Sequence, residues 1–150
     1  MALSFISIGS NIDPSKNIKA TKILLDMAFY NCAYSSIYNS QAEGFNGPDF
    51  KNLVVKIETD LNPFLLNNIL KVIEKKIGRD DSQKKYKNRA IDLDLILYED
   101  LIISEMGIEV PSKDINKFVF VLEPLAEIAG DLTHPILGDT FGDLLKSFKN

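Results

Sequence analysis

The chain reads as an α+β fold of the ferredoxin-like kind, with a mostly antiparallel sheet, helices packed on it and extra C-terminal elements. Three observations predict this. Segments of period two and segments of helical period follow one another as β-α-β-β-α-β, the split βαβ order. The 150 residues contain no repeat, low-complexity stretch or linker, so a single domain over 1–150 is expected. The last strand of that order, residues 91–98, is continuously apolar except for two aspartates.

Residues 3–9 alternate loosely and read as the first strand. Gly9-Ser-Asn turns the chain, Asp13 can cap and Pro14 can open a helix reaching about Phe29, with Ile18, Ile23, Leu24 and Met27 near helical spacing. Residues 33–40 read as a second strand and 50–58 as a third, with Leu53, Val55 and Ile57 on one face. Between them, Gly44, Asn46, Gly47 and Pro48 make 41–48 a loop. Asn62-Pro63 caps and opens a second helix carrying Leu65, Leu66, Ile69, Leu70, Ile73 and Ile77, and Gly78 ends it. A polar, lysine-rich loop follows over 79–90, then the strand 91–98, a short partner strand at 101–103, and an apolar stretch 118–129 that turns helical after Pro124. Thr140 and Asp143 resemble a capping box for a last helix through Phe148.

Composition excludes several classes of function. No apolar run approaches the roughly 20 residues a membrane helix needs, and Met1-Ala-Leu-Ser-Phe lacks the pattern of a secretion signal. Cys32 is the only cysteine, which fits a reducing cytoplasm and reads as a buried, inert thiol. A net charge of −4 argues against general nucleic-acid binding. Charge is uneven, however: positions 71–89 hold eight cations against three anions, a stretch suited to one compact anion.

The strand 91–98 carries the most chemistry. Alternation puts Asp92 and Asp94 on one face, about 7 Å apart along the chain, and Ile91, Leu93, Leu95 and Leu97 on the other. Ile96 and Tyr98 follow the acids on their own face, which places the acids near one end of a well-buried strand. Two like charges side by side invite a cation, and hard oxygen ligands suit Mg²⁺, which completes its shell with water and substrate phosphate.

On these residues the chain resembles the family of 6-hydroxymethyl-7,8-dihydropterin pyrophosphokinases. The resemblance rests on Ile8-Gly-Ser-Asn11, on Tyr38 through the glycine loop to Phe50-Lys-Asn52, on Ile73-Glu74 with Gly78-Arg79, on Arg89-Ala-Ile-Asp-Leu-Asp-Leu-Ile-Leu-Tyr98 and on Pro124-Leu-Ala-Glu-Ile-Ala129. It implies transfer of the β,γ-pyrophosphoryl group of MgATP to the pterin hydroxymethyl oxygen, with release of AMP. It implies that Asp92 and Asp94 bind metal, as two magnesium ions, and that Arg79 and Arg89 contact ATP phosphates through guanidinium forks. It places Lys71, Glu74, Lys85, Tyr86, Ser112 and Lys117 on the nucleotide side. For the pterin, it implies that Phe50 and Phe120 sandwich the ring, that Asn52 reads its amide-like edge, and that Ser40 and the backbone at Ala42 and Glu43 add contacts. The loops 41–48 and 79–90 would close over both substrates. The expected partners are therefore ATP and the pterin, with no nucleic acid and no membrane, in a cytoplasmic monomer.

The pattern departs from the family at four places. Ser112 stands where a histidine usually follows the proline, and Phe118 where an arginine lies two positions before the stacking aromatic. Asp81 and Lys85 replace loop cations. These changes remove phosphate donors, so normal pterin binding with weaker or slower use of ATP is expected; Lys84, Lys85, Lys87 and Lys117 restore some charge. A catalytically weak pterin-binding domain is the alternative reading. An RNA-binding module is the third, opposed by the acidic charge and the lack of an aromatic, basic RNA-binding strand. The only histidine, His134, reads as structural.

Overall fold

The computed structural model describes residues 1–41, 47–78 and 90–149. Five strands form the main sheet: β1 (Ala2–Ser10), β2 (Tyr30–Tyr34), β3 (Tyr38–Ser40), β4 (Phe50–Thr59) and β5 (Asp92–Tyr98). Their order is β2-β4-β1-β5, all neighbours are antiparallel, and β3 pairs the other half of β4. Helix α1 (Pro14–Ala28) joins β1 to β2 and α2 (Pro63–Ile77) joins β4 to β5. This is the arrangement the split βαβ order predicts.

The two sheet faces carry separate cores. On the first, Ile6, Ile8, Leu53, Val55, Ile57, Leu93 and Leu95 meet Ile18 and Leu25 of α1 and Leu66, Leu70 and Ile73 of α2. On the second, Phe5, Val54, Ile96 and Leu97 meet Val121, Leu122 and Leu125 of α4 (Val119–Ala129) and Phe141 of α5 (Phe141–Lys149). Between β5 and α4 in the chain come the hairpin β6 (Ile103–Glu105) and β7 (Ile108–Val110) and the short α3 (Asp114–Lys117). The last 40 residues therefore roof half of the second face and leave the rest open.

Several expectations are corrected. Residues 33–40 are not one strand: after Tyr34, Ser35 donates its N–H to Val54 O at 2.8 Å and accepts Val54 N–H on its hydroxyl at 2.9 Å, a side-chain substitute that ends β2. Residues 101–103 do not pair with β5; Ile103 begins the separate hairpin with β7. Helix α4 starts at Val119 and carries Pro124 inside it, so the helix precedes the proline rather than following it. Asp13 has a left-handed backbone (φ 39°) and makes no side-chain cap. On α1 the inward residues are Ile18, Thr21 and Leu25, while Ile23 and Met27 are 56% and 79% exposed, because the apolar residues spread over more than one face. In β5 a register shift opposite Phe5/Ile6 reverses the alternation after Ile96. Leu97 consequently joins Ile96 in the second core, and Tyr98 packs on the first. The Asn62 cap holds, with its Oδ1 accepting Leu65 N–H at 2.9 Å, and Thr140 caps α5 by accepting Asp143 N–H at 3.1 Å.

Candidate active site

The open half of the second face is a polar row that register builds from three strands. Gly9 of β1 lies opposite Asn52 of β4 on one side and Asp92 of β5 on the other. One step along, Ser7 lies between Val54 and Asp94. Residues directly opposite share a face, so Asn52, Gly9, Asp92, Ser7 and Asp94 look the same way. β3 extends the row beyond Asn52 with Tyr38, and Ser40 lies opposite Phe50. Asn52 is buried, and its amide Nδ2–H donates to Ser40 Oγ at 2.7 Å. That bond fixes the amide and leaves its Oδ1 directed toward the Gly9 side, 3.5 Å from where a β-carbon would stand.

The acidic end of the row is electrostatically unsettled. Asp94 is open to solvent yet hemmed in by protein, and this crowding first, then the charge of Asp92, push its pKa up to about 8. Glu74 and Asp114 add to the rise and Lys71 opposes it. Glu74 of α2 is buried; its Oε2 accepts the N–H of Leu93 at 2.7 Å and its Oε1 lies 3.4 Å from Lys71 Nζ. Leu93 lies between the two aspartates, so α2 grips the outer edge of β5 where the acids project. Ser112 anchors the other side: its N–H donates to Ile96 O at 2.9 Å and its hydroxyl accepts Asp114 N–H at 3.1 Å.

Two of the predicted ring-binding aromatics lie on this face of the sheet. Phe50 approaches Gly9, with Cδ1 3.7 Å from the position of an added β-carbon. Phe120, at the start of α4, stacks on Phe118 with centroids 4.8 Å apart and planes 23° apart. Phe118, the residue standing where the family has arginine, thus covers one face of Phe120, and Lys117 Nζ lies 5.1 Å from the Phe118 ring centroid. Helix α4 is itself tied down through Glu127. Its carboxylate accepts the Tyr38 hydroxyl at 2.6 Å, the Ser36 N–H at 3.0 and 3.1 Å and the Ser36 hydroxyl at 3.1 Å. Sequence reasoning quoted Glu127 inside the Pro124–Ala129 stretch and missed its task, because its partners lie about 90 residues away. It missed Asp114 too, which no local signal marks.

The end of β1 and the turn after it are tied to Ala90 and Pro48. Ser10 donates its hydroxyl to Ala90 O at 2.6 Å, and Asn11 donates its amide to Pro48 O at 3.3 Å. Of the predicted site residues, the structure brings together Asp92, Asp94, Lys71, Glu74 and Ser112 at one end of the row and Ser40, Phe50 and Asn52 at the other, while Phe120 packs on Phe118 beside the second core and Lys117 lies against the Phe118 ring. Arg79, Lys85, Tyr86, Arg89, Ala42 and Glu43 lie outside the described residues. Cys32 and His134 sit away from the row. Burial first pushes the Cys32 thiol up to about 11, and His134 is buried with its Nδ1 accepting the N–H groups of Ile136 and Leu137 at 3.2 Å.

Comparisons with known proteins show the family and the fold. Residues 5–130 match the family described as 7,8-dihydro-6-hydroxymethylpterin-pyrophosphokinase (HPPK). The chain is 35% identical over 152 residues to a 2-amino-4-hydroxy-6-hydroxymethyldihydropteridine pyrophosphokinase of Aquifex aeolicus, covering 99% of this chain and 91% of that one. It is 35% identical over 139 residues to the protein of the same name from Haemophilus influenzae, covering 90% and 86%. Among solved structures it superposes on Plasmodium falciparum HPPK-DHPS with pteroate at a TM-score of 0.77 and 14% identity. It covers 98% of its own length there and 42% of that longer chain, a likeness of fold.

Proposed function

The chain belongs to the 7,8-dihydro-6-hydroxymethylpterin-pyrophosphokinase family, and from that premise we propose how its residues carry out the reaction. It is an ATP-dependent diphosphotransferase of folate biosynthesis, acting on 6-hydroxymethyl-7,8-dihydropterin. The hydroxymethyl oxygen bonds to the β-phosphorus of ATP. The bridging oxygen between the α- and β-phosphorus leaves with AMP, and the hydroxyl proton passes to solvent. Such a transfer needs positioning and charge stabilisation rather than a protein nucleophile.

The observation that carries the residue assignment is the three-strand row. An amide held by Ser40 stands at one end and a crowded acid pair at the other, on adjacent strands either side of Gly9. Asn52 reads the pterin's amide-like edge, with Phe50 and Phe120 as the walls for the flat ring. Asp92 and Asp94 hold magnesium. The raised affinity of Asp94 for a proton marks a carboxylate short of positive charge, which fits a hard cation. Among the described residues no three His, Cys, Asp or Glu side chains gather into a metal cage, and Mg²⁺ needs only one or two carboxylates beside substrate phosphate. Two ions bound there would neutralise charge building on the phosphoryl oxygens. Glu74 and Lys71 line the nucleotide side; Ser112 stands where the family has a histidine, and Lys117 adjoins Phe118, which stands where it has an arginine. Arg79, Lys85, Tyr86 and Arg89 are assigned to ATP, and Ala42 and Glu43 to the pterin, on their motifs. One chain would hold the whole site as a cytoplasmic monomer; no helix among the described residues is long and apolar enough to cross a membrane.

The weak-binding alternative is not favoured: the acid pair is in place, and the relatives at 35% identity are named as pyrophosphokinases. The test is incubation with MgATP and hydroxymethyl-dihydropterin. AMP released only when the pterin is present supports the assignment; pterin binding without AMP overturns it.

A further inference from the structure

Glycines in this fold have visible reasons. Gly78 has a left-handed backbone at the end of α2 (φ 127°). A β-carbon on Gly142 would meet the backbone oxygen of Gly130 at 3.1 Å where α5 begins. Gly9 has neither reason. It lies within β1, outside the left-handed region. A β-carbon there would meet, among the described residues, only Asn52 Oδ1 at 3.5 Å and Phe50 Cδ1 at 3.7 Å, ordinary van der Waals contacts. Alanine would fit, and alanine holds a strand better than glycine. A strand glycine with neither role marks a place where something outside the chain approaches the backbone.

The row says what approaches. Gly9 sits between Asn52 and Asp92, whose α-carbons stand two strand spacings apart, about 10 Å across the sheet. It is the one position in that stretch with no side chain, and it is half-buried rather than covered. A ring read by Asn52 must send its reactive hydroxyl across this floor to reach phosphate held at Asp92 and Asp94.

We propose that Gly9 is a specificity-determining residue: its bare backbone is the floor over which the exocyclic hydroxymethyl arm passes from the pterin ring to the metal-bound triphosphate. The arm is one carbon and one oxygen long, so a methyl beneath it displaces the oxygen from line with the β-phosphorus. Larger side chains block the path. This rests on the function proposed above, with Asn52 and the acid pair in their assigned roles.

The test compares Gly9→Ala and Gly9→Val with the wild-type chain. Four quantities are measured: thermal midpoint, affinity for MgATP, affinity for pterin rings with and without the 6-hydroxymethyl arm, and pterin-dependent AMP formation. Wild-type AMP formation reports on the function itself, so its absence overturns that reading and the inference with it. With a working wild type, Gly9→Ala should keep or raise the thermal midpoint and bind MgATP and the armless ring as wild type does. Its kcat/KM for the hydroxymethyl substrate should fall about tenfold or more, and further in Gly9→Val. Wild-type kinetics in Gly9→Ala, equal loss of affinity for both rings, or a lowered midpoint in Gly9→Ala each overturn the inference while leaving the function standing.

Discussion

The two faces of one sheet do different work. The first is dry: alternate residues of β1, β4 and β5 bury Ile6, Ile8, Leu53, Val55, Ile57, Leu93 and Leu95 beneath α1 and α2. The second has the same strands and the same pleat, yet only half of it is roofed, by α4 and α5, and the open half bears Asn52, Gly9, Asp92 and Asp94. Side chains pointing one way hold the fold together, and their immediate neighbours pointing the other way form the polar row proposed to hold the substrates. On the second face the chain tolerates what a core rejects, namely two neighbouring carboxylates and a strand glycine. Such local costs mark places built for a ligand.

Substitutions on the two faces should separate activity from stability. Asp92→Ala or Asp94→Ala should lower turnover about a thousandfold or more while leaving pterin affinity within a few-fold, measured by AMP formation and by pterin fluorescence titration. Near-normal turnover in both would break the comparison. Leu70→Ala, on the first face, should do the reverse. Its fully buried side chain leaves a cavity that costs about 3 kcal/mol in urea unfolding, with kcat nearly unchanged in the folded fraction.

A finer contrast concerns the wall that α4 presents. Glu127→Ala removes the bonds to Tyr38 and Ser36 that fix α4 against β3. The pterin KM should rise roughly tenfold while that for MgATP stays put, because only the aromatic wall loses its tether. Equal effects on both substrates would show that the tether serves the fold generally.

The smallest effect is in stability against pH. Crowding by the protein, then the charge of Asp92, push the Asp94 carboxyl from the ordinary 3.8 up to about 8 in the folded chain. The folded chain therefore binds more protons between those values, and its unfolding free energy should fall as pH rises from about 4 to 8. Asp94→Asn should flatten that fall and gain about 1 kcal/mol at neutral pH, a modest figure because solvent reaches and screens the carboxyl. A pH profile unchanged by the substitution would show the acid pair to be unstrained.

Legibility in the sequence followed the range of the interaction. Asn62-Pro63, Gly78 and the alternation of 50–58 marked their elements because caps and pleats act within a few residues. Asp92 and Asp94 were legible for the same reason: spacing by two puts both on one face wherever the strand lies. The break at Ser35 was not, since the partner that rewards it is Val54 on another strand. Nor was the slip at Ile96, which turns Leu97 and Tyr98 to unexpected sides through pairing with β1.

By itself, then, the sequence determined the order of the elements and the acid pair on one face of a strand. Tertiary structure alone decided that Phe120 stacks on Phe118, that Glu127 ties α4 to Tyr38, that Glu74 grips the edge of β5, and that Gly9 lies midway between Asn52 and Asp92. The physical reason is that strand register and helix docking are set by burial summed over the whole chain, so contacts between distant segments leave no pattern within any one of them.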